Sequence, residues 1–103
     1  MSRIDIGDID NVIHGRLRLG IMAYLADAEV ADFAELKRVL EATQGNLGAN
    51  LITLEEAGYI RIEKSFVGRK PLTRARITRA GREAFRRYLL QMATLVESGL
   101  KKR

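Results

Sequence analysis

The 103-residue chain contains no cysteine, no tryptophan, one proline and one histidine. Without cysteine there is no disulfide framework, no thiolate metal site and no thiol nucleophile. A lone histidine, His14, cannot build an imidazole zinc centre and reads instead as a cap or packing group at a helix start. No apolar run approaches the roughly 20 residues needed to span a bilayer. The first ten residues hold three aspartates and no apolar stretch of the kind found in secretory leaders. A phosphate loop and a dinucleotide glycine fingerprint are also missing, and the carboxylates are scattered, which argues against an enzyme. These absences predict a soluble, cytoplasmic domain without metal or cofactor.

What is present is a single domain's worth of chain, 47% hydrophobic, with an uneven charge. Eighteen Lys and Arg face thirteen Asp and Glu, for a net +5. Between Arg61 and Arg87 ten cations meet only Glu63 and Glu83, a local excess of eight, whereas the remainder carries a net −3. A polarised basic segment is the electrostatic footprint of a polyanion binder.

Hydrophobic spacing divides the chain into short elements with no repeat or linker between them. Ile4, Ile6 and Ile9 are apolar without a clean period, and residues 8–13 suggest a helical turn. Leu17, Ile21 and Leu25, with Met22 beside them, mark a helix from about Gly15 to the Ala26–Glu29 region. Asp32 with Glu35 has the form of a capping box that opens a helix from Phe33 to about Leu40, with Leu36, Val39 and Leu40 inward. Thr43 is placed to cap a helix from Gln44 to Ala57, striped by Leu47, Leu51 and Leu54, and Gly58 to stop it. The period then shortens to two. Tyr59–Val67 and Thr73–Ile77 read as strands around a Gly68-Arg69-Lys70-Pro71 turn, with Arg74 and Arg76 on one face and Ala75 and Ile77 on the other. Thr78 opens a last helix, Arg79 to about Ser98, with Phe85, Tyr88, Leu89, Met92, Leu95 and Val96 apolar.

Two short helices, a tight turn and a hairpin form the order of a winged helix-turn-helix: mainly α with a small β-wing (α+β) and an extended C-terminal helix. The helix-turn-helix spans about 33–57, the wing about 59–77 and the last helix about 79–98, within one domain over 1–103. Gly45-Asn46-Leu47, Leu54-Glu55-Glu56-Ala57-Gly58-Tyr59-Ile60, Gly68-Arg69-Lys70-Pro71 and Ile77-Thr78-Arg79-Ala80-Gly81-Arg82 resemble the small winged-helix transcriptional regulators related to the MarR, ArsR and PadR groups. The resemblance covers roughly Ile13 to Leu95. It implies a homodimeric regulator of double-stranded DNA whose terminal helices form the dimer interface. It makes Gln44–Ala57 the recognition helix and the Gly68–Pro71 hairpin the wing tip.

The leucine stripe leaves Gln44, Asn46, Ala49, Asn50 and Thr53 to face DNA, where Asn and Gln match adenine edges and Thr a thymine methyl. Relatives often carry a cation in the middle of this helix, and Gln44–Ala57 has none. Phosphate contacts therefore fall to Arg69, Lys70, Arg74 and Arg76. Gly45 and Gly48 allow close approach to DNA or to a neighbouring helix. Arg16 and Arg18 contact phosphate or solvent, Arg82, Arg86 and Arg87 extend the basic patch or solubilise it, and Tyr24, Tyr59 and Phe66 read as core or wing-packing aromatics. Phe85, Tyr88, Leu89, Met92, Leu95 and Val96 form the expected dimer stripe, and a small apolar effector has room between the dimer helices and the first helix. The competing expectation is a winged helix used as a protein-interaction scaffold, favoured by the uncharged helix and apolar Ile52.

Overall fold

A computed structural model describes residues 6–101, and the apolar stripes become four helices and a three-stranded sheet there; Ile4 lies outside these residues. After a short 3-10 turn at Ile6–Asp8, Asp10 caps the next turn, its Oδ1 accepting from the amides of Val12 at 2.8 Å and Ile13 at 3.1 Å. That turn drives Ile13 fully into the core. Helix α1 (Arg16–Ala28) buries Ile21, Met22 and Leu25 and half-buries Leu17.

Helix α2 (Phe33–Val39) begins at Asp32, whose carboxylate accepts from the Glu35 amide at 2.8 Å. Glu35 turns its own carboxylate to the Tyr24 hydroxyl, so only half of the expected box is realised. Leu36 is buried and Leu40 half-buried, whereas Val39, expected inside, lines an open groove beside Arg16 and Thr43, where no element covers it. Thr43 caps α3 (Gln44–Glu56) by accepting from the Asn46 amide at 3.1 Å, and Leu47, Leu51 and Leu54 are buried as their spacing predicts. At the far end Gly58 takes φ +83°, with Gly58 N–H donating to the Glu55 carbonyl and Tyr59 N–H to that of Leu54, the paired closure that favours glycine at this position.

Strands β2 (Ile60–Val67) and β3 (Lys70–Ile77) pair antiparallel from Ile60 opposite Ile77 to Val67 opposite Lys70. The turn is only Gly68, at φ +64°, and Arg69, so β3 starts three residues earlier than the alternation suggests. Pro71 is tolerated there because the neighbouring strand reaches only Arg74 to Arg76. That neighbour, β1 (Val30–Asp32), was not foreseen in the sequence and makes β3 the central strand.

Thr78 N-caps α4 (Arg79–Lys101), accepting from the Gly81 amide at 2.9 Å while donating to the Gly58 carbonyl at 2.6 Å. Ala84, Phe85 and Tyr88 then join the core. Beyond half-buried Met92 the helix runs away from the body, and the molecule measures 59 × 25 × 21 Å.

Candidate nucleic-acid interface

With its leucines turned inward, α3 shows solvent a ridge of Gly45, Ala49 and Ile52, flanked near the N-terminal end by Gln44 and Asn46. Gln44, Asn46 and Ala49 are thus exposed where the sequence placed them. A Cβ added at Gly45 or Gly48 would meet nothing within 4 Å, so neither glycine serves a close helix contact within this chain. They leave a low ridge on which apolar Ile52, 53% exposed, is the largest feature.

Asn50 and Thr53, expected to face DNA, are half-buried and hydrogen-bonded within the chain. The Thr53 hydroxyl donates to the Ala49 carbonyl at 3.2 Å. The Asn50 amide donates to the Asn46 carbonyl at 2.7 Å and accepts from Arg18 at 2.7 Å. Arg18 also donates to the carbonyls of Val12 and Asn11, so one guanidinium ties the N-terminal lead-in to α3. Arg18 was expected at phosphate or in solvent. A signal for its real role was present, because Arg18 stands three residues before Ile21 and seven before Leu25, on the core stripe itself.

The wing shows a similar division. Arg76, expected at phosphate, pairs with Glu63 at 3.0 Å and with Glu29 at 3.4 Å, bracing β3, β2 and the entry to β1. Arg69, Lys70 and Arg74 are exposed, and so are Arg61 and Lys64, two further cations of the same hairpin. Among the described residues none of these five forms an ion pair. Glu55 fixes the wing to α3 by accepting from the Ile62 amide at 2.9 Å. Phe66 is not a packing aromatic, since it stands 70% exposed near the hairpin tip.

Tyr24 and Tyr59 are half-buried and hydrogen-bonded. The bond to Glu35 raises the Tyr24 pKa. Burial, followed by the bond to Asp10, raises that of Tyr59 to about 12. His14 lies 2.8 Å from the Tyr88 hydroxyl through Nδ1. No group of residues able to hold a metal ion occurs among the described residues.

The last helix divides its apolar residues between two faces. Phe85 and Tyr88, expected at a dimer interface, are buried in the core of their own chain, with Tyr88 only 2% exposed. Leu89, Leu95 and Val96 are exposed, as are Leu90 and Leu100. Leu89, Ala93, Val96 and Leu100 follow a four-three-four spacing, a seam rotated from the buried one. At its base an open groove of about 500 Å³ is lined by Ala26, Phe85, Leu89, Leu90 and Ala93, with Arg82 and Arg86 at the side. Arg82 is not free there, because it donates to the Ala26 carbonyl at 3.0 Å and caps the end of α1.

A helix pair, α2 and α3, followed by a cationic hairpin and a long closing helix defines a winged helix-turn-helix protein. The chain belongs to the family of winged helix DNA-binding domains, whose sequence profile matches residues 17–96. It is similar to an uncharacterized protein of Methanocaldococcus jannaschii, 34% identical over 84 residues that make up 82% of this chain and 91% of the relative. Among solved structures it is similar to a transcriptional regulator homologue from Pyrococcus horikoshii OT3, at a TM-score of 0.82 and 30% identity over 86% of this chain and 88% of that one. A MarR-like transcriptional regulator from Thermotoga maritima matches at a TM-score of 0.59 and 25% identity, over all of this chain and 69% of that one. No helix among the described residues is long and apolar enough to cross a membrane.

Proposed function

We propose that the protein is a homodimeric, DNA-binding transcriptional regulator in which α3 enters the major groove and the wing rests on the flanking backbone and minor groove. The observation that carries this reading is a hairpin with five exposed cations that form no ion pair among the described residues, bonded at its base through Glu55 and Ile62 to a helix with no charge from Gln44 to Leu54. Phosphate affinity then comes from Arg69, Lys70 and Arg74, with Arg61 and Lys64 along the same hairpin. Base reading falls to the Gln44 and Asn46 amides, suited to adenine, and to Ala49 and Ile52, suited to thymine methyls. The likeness to solved transcriptional regulators supports the assignment. Dimerisation through the Leu89, Ala93, Val96 and Leu100 seam hides an apolar stripe that a monomer leaves in water, and it doubles the phosphate contacts.

The test is a fluorescence anisotropy titration of duplex DNA across a salt series. Affinity falls log-linearly with salt, and Arg69→Ala and Lys70→Ala each flatten the slope by about 0.9. Gln44→Ala and Asn46→Ala leave the slope alone and reduce discrimination between sequences. Binding no tighter than that of a neutral control, with no salt dependence, overturns the proposal. Exposed Ile52 favours a second reading, a protein-interaction module, which gains if Ile52→Asp abolishes capture of a partner protein and the wing variants leave DNA binding unchanged.

A further inference from the structure

Phosphate binding accounts for the cations of the wing but not for its most conspicuous apolar group. Phe66 is 70% exposed and Val67 64% exposed, at the end of a hairpin whose residues from Lys64 to Pro71 all stand outside the core. Pro71 lies directly opposite Phe66 in the strand register, so the two share one face of the ribbon. Pro71 also fixes its own φ and lacks an N–H, which stiffens the strand backing the aromatic ring. Two residues away on the same face stands Lys64, and the turn adds Arg69 and Lys70. From Lys64 to Arg82 the sequence contains no carboxylate at all.

An aromatic ring held out on a stiff ribbon tip, with Lys64 on its own face and Arg69 and Lys70 in and beside the turn, suits a surface where apolar walls run between two rows of anions. The minor groove of DNA has that form, since deoxyribose walls lie between phosphate rows in a channel about 6 Å wide. Apolar side chains placed there act as wedges against sugars and base steps. The same run of positive charge disfavours docking of this tip against its own copy, because like charges would meet.

We propose that Phe66, backed by Pro71, is an apolar wedge that enters the minor groove of the bound duplex while Arg69 and Lys70 hold the phosphates on either side. The proposal rests on the DNA-binding reading above and names the groove contact made by the wing.

The absence of tryptophan makes Phe66→Trp a single fluorescent reporter. The probe is a duplex of about 30 base pairs recovered from a random pool or, if none is enriched, the unselected pool at about 50 mM salt. On binding, the reporter emission shifts to the blue and becomes protected from acrylamide, and netropsin, which fills the minor groove, reverses the protection. Phe66→Ala weakens binding by about tenfold or more with the salt slope and the thermal midpoint unchanged. A reporter that stays open to acrylamide in the bound complex overturns the proposal. So does Phe66→Ala binding within about twofold of wild type, or a blue shift produced by anionic vesicles but not by the duplex. Failure of the wild-type chain to bind any duplex removes the DNA-binding reading and this proposal together, whereas tight binding with an exposed reporter removes this proposal alone.

Discussion

Tyr59 joins three parts of the molecule, following α3, preceding the wing and bonding through its hydroxyl to Asp10 of the lead-in. Burial and that bond keep its phenol protonated to about 12, against 10.0 for an ordinary tyrosine. The folded chain therefore holds a proton that the unfolded chain releases near pH 10, so the stability it confers is complete below that value and disappears as the pH climbs towards 12. The thermal midpoint of the wild type should fall steeply across this window and that of Tyr59→Phe less steeply; equal slopes would contradict the assignment. Single side chains were the least legible part of the sequence. Asn50 and Arg76 have suitable chemistry for DNA, yet they also bond to groups distant in sequence, Arg18 for Asn50 and Glu29 and Glu63 for Arg76, which no local pattern announces. The exposure of Gln44, Asn46, Arg69, Lys70 and Arg74 was legible because they fall off the apolar stripes or at the hairpin turn.

At the level of elements, the start of α4 depends on a contact that no side-chain pattern announces. A Cβ at Gly81 would lie 2.0 Å from the Tyr59 carbonyl oxygen, so α4 can approach the foot of the wing only through glycine. Gly81→Ala should cost about 1–3 kcal/mol despite alanine's higher helix propensity. Gly99→Ala, in open space on the same helix, should be neutral or stabilising by up to about 1 kcal/mol. Urea unfolding of both variants checks the contrast, and equal midpoints would refute it. Helices were easy to read because Leu47, Leu51 and Leu54 repeat over several turns and Thr43 and Thr78 cap where a cap is needed. Strand β1 was not readable, since three residues are too few to display an alternation and its pairing comes entirely from β3. The two faces of α4 were merged for a related reason: both follow helical spacing, and only the packed body decides which one is covered.

Over the whole molecule, α4 projects an apolar seam past a body that cannot cover it. Sedimentation equilibrium should give a mass near twice 11.6 kDa, and Leu89→Asp combined with Val96→Asp should return it to 11.6 kDa with the fold intact. Phe85→Asp should instead unfold the chain, because that ring is buried in its own core. A wild-type mass of 11.6 kDa would exclude the dimer. In the proposed complex α3 and the wing together hold a duplex, the helix inspecting bases and the hairpin gripping phosphates. Selection of bound sequences from a random duplex pool is the decisive measurement. A twofold-symmetric site with half-sites about one helical turn, roughly 34 Å, apart should be enriched. A pool that emerges unenriched, with recovery unaffected by Arg69→Ala and Lys70→Ala, would contradict that complex.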